Sequence, residues 1–384
     1  MSYNTTILQQ LLSFISKSEF NEQVELSGRD KYVKDFKSWD QFLCMLYAQA
    51  SGRNSLRDIA TGLLSQQKSW YHLNLKSISR SNLSYCNNKR SYELYQNFFY
   101  LLLSRLKDYS PKHKFKFKNP LYSLDSSTVE LCLSVFPWAK FRKKKGALKI
   151  HCLLDHNGTI PSFVVVTDGK TGDIKVAREI STNFSKDSIV AFDRAYIDYE
   201  WLYRLDFNNI FFVTRSKTST AYKVIGQHKM IKSKTVIADD IIELMSDKKY
   251  KKQLRMVTIY DEEKDKVLKF ITNNFKLSAN TIASIYKDRW KIELFFKWIK
   301  QNLKIKTFLG TSKNAVMTQI WVAMIYYLLL TYIKYQTKYK NTLLYFTMVI
   351  KENLFKNINM INLLNLSLGM IKKQQTQTWQ LNLF

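Results

Sequence analysis

The segment Tyr286-Lys287-Asp288-Arg289-Trp290-Lys291-Ile292-Glu293-Leu294-Phe295-Phe296-Lys297-Trp298-Ile299-Lys300 holds the groups of this chain best spaced to act together. At about 100° per residue, a helix gathers Tyr286, Arg289, Glu293 and Lys300 within an arc of roughly 60°. One stripe then presents a phenol, a guanidinium, a carboxylate and an ammonium, and the bulky apolar residues around it would hold the helix on a core. A carboxylate flanked by cations suits a divalent metal beside phosphates: the carboxylate binds the metal and the cations grip phosphate oxygens. The same spacing also describes a solvated helix face, in which Arg289 and Glu293 form an i,i+4 pair worth about 0.2–0.5 kcal/mol.

A single carboxylate does not make a metal site, so further acids must come from other elements. From residue 121 the apolar period becomes that of strands, with short β-branched or aromatic runs at 121–125, 148–154, 160–166, 189–192 and 210–214. The first three are hairpin-spaced and read as antiparallel. The last two flank a helical pattern over 196–205, as in a βαβ unit. A three-strand meander followed by βαβ is the order of a ribonuclease H-like mixed sheet. Asp125 and Asp193 close the first and fourth runs, and adjacent placement of those strands would bring both carboxylates out at one end of the sheet. Taken singly, an aspartate at a strand end reads as a turn or cap residue.

The spacing Tyr-x2-Arg-x3-Glu-x6-Lys resembles the signature of the insertion sequence 4 family of bacterial DDE transposases. Leu124-Asp125-Ser126-Ser127-Thr128 is similar to that family's first catalytic block and Phe192-Asp193-Arg194-Ala195-Tyr196-Ile197-Asp198 to its second. Between them, Phe136-Pro137-Trp138-Ala139-Lys140-Phe141-Arg142 and Lys145-Gly146-Ala147-Leu148-Lys149-Ile150-His151 look like its connecting text. Ser38-Trp39-Asp40-Gln41-Phe42 and Ser51-Gly52-Arg53-Asn54-Ser55-Leu56-Arg57-Asp58 resemble the helical leader of one branch. The resemblance covers most of the chain. It departs at Gly172-Asp173, where family members commonly carry a histidine before the aspartate.

The resemblance implies an α/β protein whose ribonuclease H-like catalytic core carries a β-rich insertion between N-terminal and C-terminal helical regions. Asp125, Asp193 and Glu293 become the catalytic carboxylates, with Asp125 bridging two Mg²⁺ ions (Mn²⁺ substituting), Asp193 holding one and Glu293 the other. Tyr286, Arg289 and Lys300 become phosphate ligands, with Arg142, Lys143, Lys145 and Arg194 as further DNA contacts. The implied activity is cleavage at an element's terminal inverted repeats and joining of 3′ ends to target DNA, carried out by a homodimer. Two other readings stay open: a DNA-binding protein without catalysis, and a nuclease that cuts but does not join.

Composition bears on the same question. The chain has 384 residues, 46% of them hydrophobic, and a formal net charge of +29, which favours an anionic partner such as nucleic acid. Only 13 of the 60 basic residues are arginine, so Arg142, Arg194 and Arg289 are better pointers than the lysine excess. Cys44, Cys86, Cys132 and Cys152 show no metal or disulfide spacing and read as reduced thiols. No phosphate-cradling glycine loop appears, and the N-terminus lacks a signal-peptide core, so the expected place is the bacterial cytoplasm at the nucleoid. The uncharged run 315–333 reads as a buried core helix rather than a membrane span. Expected boundaries are a helical, DNA-end-binding region over 1–118, a catalytic core over 119–312 with its insertion at about 216–275, and a helical region over 313–384.

Overall fold

The computed structural model describes residues 5–142, 145–228, 234–245, 250–302 and 308–364, without the side chains of 72, 140–142, 145 and 302. They form two compact units: one of Met1–Pro111, Leu131–Ala139 and Lys297–Phe384, the other of Lys112–Glu130 and Lys140–Phe296.

The first unit is helical. Its N-terminal part holds α1 (Ile7–Leu12), α2 (Lys17–Leu26), α3 (Ser38–Ser51), α4 (Leu56–Leu64), α5 (Trp70–Leu73), α6 (Arg80–Lys89) and α7 (Glu93–Leu106). α3 stops where Gly52 adopts the left-handed conformation, φ 71°. Ser55 and Ser79 start α4 and α6 as N-caps, accepting from the Asp58 and Asn82 amides at 3.0 and 3.1 Å. The Asp58 carboxylate turns to the Asn54 amide and the Arg53 guanidinium instead of completing a capping box at Ser55. Phe20, Trp39, Phe42, Tyr95 and Phe98 interlock in edge-on, tilted and stacked pairs at the centre of these helices.

The second unit is built on one mixed sheet of ten strands: β1 (Leu121–Leu131), β2 (Lys140–Arg142), β3 (Lys145–Asp155), β4 (Ile160–Asp168), β5 (Ile189–Phe192), β6 (Phe211–Arg215), β7 (Tyr222–Gln227), β8 (Val236–Leu244), β9 (Leu254–Asp261) and β10 (Lys266–Thr272). β4 pairs antiparallel with β3, β3 lies beside β1, and β1, β5 and β6 run parallel. This is the ribonuclease H-like order that the sequence predicts. β10 then pairs antiparallel with β6, and β9, β8 and β7 follow, so the strands after residue 216 extend the same sheet. Helices α8 (Asp173–Ile180), α9 (Tyr199–Phe207) and α10 (Ala279–Asp288) belong to this unit, and α11 (Trp290–Asn302) leaves it.

The central strands are buried on both faces, which explains why Ile189–Phe192 is apolar throughout. Tyr122, Leu124, Val190 and Phe192 face a core completed by α8 and α9, including Trp201. Leu121, Ile189 and Ala191 face the opposite core, where Ala279, Ile282 and Ile285 of α10 pack. After α11 the chain returns to the helical unit through α12 (Lys313–Gln336), α13 (Leu343–Asn353) and α14 (Met360–Leu363). The uncharged run lies in α12, which is buried along most of its length and packs on α3, α6, α7 and α13.

One buried ion pair locks the added strands to the start of α10. Arg255 on β9 bonds both oxygens of Asp239 on β8, each at 2.7 Å, with side chains only 1% and 4% exposed. Its remaining terminal nitrogen donates to the carbonyls of Asn274 and Leu277, just before the Ser278 N-cap. Removing one partner strands a buried charge, so Asp239→Ala should destabilise the protein by about 3–5 kcal/mol, whereas Asp239→Leu with Arg255→Met should recover most of that loss. Chemical denaturation of the two variants checks this. Equal losses would show that the pair is not the lock described.

Candidate active site

β1 and β5 pair in the register Leu121↔Ile189 to Leu124↔Phe192. The next residues, Asp125 and Asp193, are therefore level on neighbouring parallel strands. Since Leu124 and Phe192 face α8 and α9, the two-residue period turns both aspartates to the α10 side. β5 ends there, and Asp193 caps a short 3₁₀ turn by accepting from the Ala195 amide at 3.0 Å. β1 does not end there as the sequence predicts but runs on to Leu131, beside β3, which is also eleven residues long.

The signature segment is likewise not one unbroken helix. α10 ends at Asp288 and α11 begins at Trp290, with one tightened turn between them: the Arg289 amide is shared by the Ile285 and Tyr286 carbonyls, and the Ile292 amide reaches back only to Arg289. Arg289 keeps helical torsions (φ −51°, ψ −29°), so Tyr286, Arg289 and Glu293 stay on one stripe. The Arg289 guanidinium lies 5.5 Å from the Tyr286 ring centre, donates to Glu293 Oε1 at 2.6 Å, and reaches Asp125 Oδ2 at 3.3 Å. Lys300 lies in the last turn of α11 and belongs to the helical unit. Arg142 and Lys145 pair across the β2–β3 hairpin, Lys143 lies outside the described residues, and Arg194 is exposed in the turn after Asp193.

Electrostatics tie the group together. Burial pushes the Asp125 carboxyl up to about 6, and the Glu293 and Asp193 charges add to the rise against the Ser126 amide and Arg289. Burial alone would lower the Arg289 pKa, but its bond to Glu293 and the charges of Tyr286, Asp125 and Glu293 raise it overall, keeping it a firm cation. The Tyr286 phenol is raised chiefly by burial. Two neighbours make contacts that sequence reasoning does not find. Asp173, at the N-terminus of α8, accepts from Ser126 Oγ at 2.6 Å and pairs with Lys149 at 3.3 Å. The buried Tyr196 phenol is raised by burial and by the charges of Asp125 and Asp173.

Among the described residues, no three carboxylate, histidine or cysteine side chains stand close enough to hold one ion as placed. The space between Asp125 and Glu293 nevertheless already selects a cation, the Arg289 guanidinium, whose buried Nε has no hydrogen-bond partner. Carboxylate oxygens are the donors that hard divalent ions require, and Asp125, Asp193 and Glu293 are of that chemical type.

Comparison with known proteins gives the family. Residues 116–329 match the family described as transposase DDE domain, and residues 3–76 match a domain family of unknown function. A Sinorhizobium fredii protein named as transposase y4zB is 36% identical over 213 residues, covering 54% of this chain and 59% of its own length. A Geobacillus stearothermophilus protein, named as a transposase for insertion sequence element IS5377, is 28% identical over 249 residues, covering 64% and 65%. A third, from Synechocystis and named for insertion sequence element IS4SA, is 25% identical over 272 residues, covering 69% and 75%. The match thus spans less than two-thirds of the length of the first two relatives. More than half of this chain falls within the family match, residues 116–329, and the chain belongs to the DDE transposase family.

Proposed function

We propose that this protein is a DNA transposase of the insertion sequence 4 type, which binds the terminal inverted repeats of its element, cleaves there and joins the 3′ ends to target DNA as a homodimer. One observation carries the reading: Asp125 and Asp193 stand level on adjacent parallel strands, and Arg289 links Asp125 to Glu293 from the covering helix. Two Mg²⁺ ions held by these carboxylates would activate the attacking water or 3′-hydroxyl and stabilise the leaving oxygen.

The chain's own residues do the rest. Arg289 neutralises Asp125 and Glu293 until a DNA phosphate offers its guanidinium a bidentate partner. Tyr286, which packs its ring on that guanidinium and on Phe270, limits how far it can swing. Lys300 and the basic β2–β3 hairpin follow the DNA backbone, and the net charge of +29 supplies the salt-dependent part of binding. The N-terminal helices take the element end.

Three outcomes are expected. Alanine at Asp125, Asp193 or Glu293 should abolish Mg²⁺-dependent cleavage of a labelled inverted-repeat oligonucleotide while leaving its gel-shift affinity within about threefold, since affinity comes from distributed phosphate contacts. Collapse of binding in all three variants would overturn the assignment.

Arg289→Ala should slow single-turnover cleavage by about 10²–10³-fold, the usual effect of losing one donor to a developing charge. Arg289→Lys should recover only part of the rate, because an ammonium cannot reproduce the planar fork. Near-wild-type cleavage by the alanine variant would return Arg289 to an ordinary helix-surface role.

The third outcome concerns stability in metal-free buffer. The folded protein holds the Asp125 proton more tightly (pKa about 6) than the unfolded chain does. Stability is therefore lost as pH rises from the unfolded value near ~3.9 through about 6, and the full cost persists above that. Asp125→Asn should raise stability at pH 8 by up to about 2–3 kcal/mol, with the gain vanishing below about pH 4. Melting curves across that range test it, and a gain independent of pH would contradict the assigned burial.

A further inference from the structure

Behind the site runs a buried chain of three polar side chains. Ser123 Oγ lies 2.7 Å from His156 Nε2, and His156 Nδ1 lies 2.9 Å from Asp288 Oδ2. Hydroxyl, imidazole and carboxylate in this order match a hydrolytic triad, but Ser123 is 0% and His156 2% exposed, so no substrate reaches the hydroxyl. The proton positions follow from donor chemistry. The Asp288 carboxylate only accepts, so Nδ1 carries the hydrogen, and neutral Nε2 accepts from the Ser123 hydroxyl. Lys114 and Lys291 also donate to Asp288, at 2.7 and 2.8 Å. The His156 amide bonds the Leu121 carbonyl at 2.9 Å, so both its backbone and its ring grip β1.

The two ends of this chain are well placed. Ser123 precedes Asp125 by two residues and so lies on the same face of β1. Asp288 is the residue before Arg289, where α10 gives way to α11. We propose that His156 is a positioning residue: through Ser123 and Asp288 it fixes the spacing between the strand carrying Asp125 and the helix junction carrying Arg289 and Glu293. The inference rests on the active-site reading above.

Three substitutions in the full-length protein separate its two arms. His156→Asn keeps an amide donor near the Nδ1 position for Asp288, His156→Gln keeps an amide group near the Nε2 position for Ser123, and His156→Leu keeps neither. Amide hydrogen exchange needs no catalysis. In His156→Leu, amides around the α10–α11 junction should exchange roughly tenfold faster or more while those of β5 and β6 keep wild-type protection. Cleavage of the element-end oligonucleotide should fall about a hundredfold, as a misplacement near 1 Å produces, with end binding unchanged. His156→Asn should recover more of both than His156→Gln. Unchanged exchange at the junction, or losses of cleavage that simply track melting temperature across the three variants, would overturn the inference. A wild-type protein that fails to cleave would instead overturn the transposase reading, while the exchange pattern would still decide the role of His156.

Discussion

Parallel pairing of β1 with β5 is the constraint from which the candidate site follows. Once Leu124 is opposite Phe192, the pleat puts Asp125 and Asp193 level and on one face. Burial strips Asp125 of hydration, and the Glu293 and Asp193 charges add to the effect, which is why its carboxyl is pushed up to about 6. The face the two aspartates share therefore has to be covered by an element that ends in a cation. α10 does this: Ala279, Ile282 and Ile285 seat it on the sheet, and the turn after it delivers Arg289. Arg255 fixes the loop before α10 and His156 reaches the residue just before Arg289, so this helix is pinned at both ends.

The charge map is inverted at this point. The chain carries +29 overall, yet here one guanidinium, that of Arg289, is set against two carboxylates, Asp125 and Glu293. At physiological salt, exposed charges are screened beyond about 8 Å, so the surplus of lysines attracts a polyanion only in a general way. Close to Asp125, Asp193 and Glu293, a phosphate is repelled unless additional cations join it. Under the proposed function, general attraction and local rejection together would hold nucleic acid over much of the surface while the reaction waits for the right counter-charge.

Much of this was readable from residue order. The strand runs, the apolar β5 and the serine caps of α4 and α6 follow from local chemistry, and they appear where propensity and capping put them. The fine structure of the site was not readable. Nothing in Lys287-Asp288-Arg289-Trp290 breaks a helix by propensity, and Arg289 keeps helical torsions, so the tightened turn is visible only in its hydrogen bonds. Ser126-Ser127-Thr128 looks like a turn, but it stays extended within β1, beside β3. The Ser123–His156–Asp288 chain joins segments far apart in sequence, and no local pattern marks a histidine that gains its partners from a strand and a helix end. Asp173 was visible as part of a departure from the family pattern, but its contact with Ser126 was not.

The order of assembly sets a timetable for synthesis. Asp125 is made early, but Glu293 follows 168 residues later (293 minus 125). At about 5–20 residues per second, roughly 8–34 s separate the emergence of the two carboxylates from the ribosome. Within that interval β6 is made well before β10, leaving its edge unpaired, and Leu121, Ile189 and Ala191 wait until residue 279 and beyond for the α10 residues that cover them. The nascent chain is thus at its most adhesive before α10 emerges. A ribosome that stalls before residue 279 releases a sheet with one bare apolar face, and such a fragment is a substrate for chaperones and proteases.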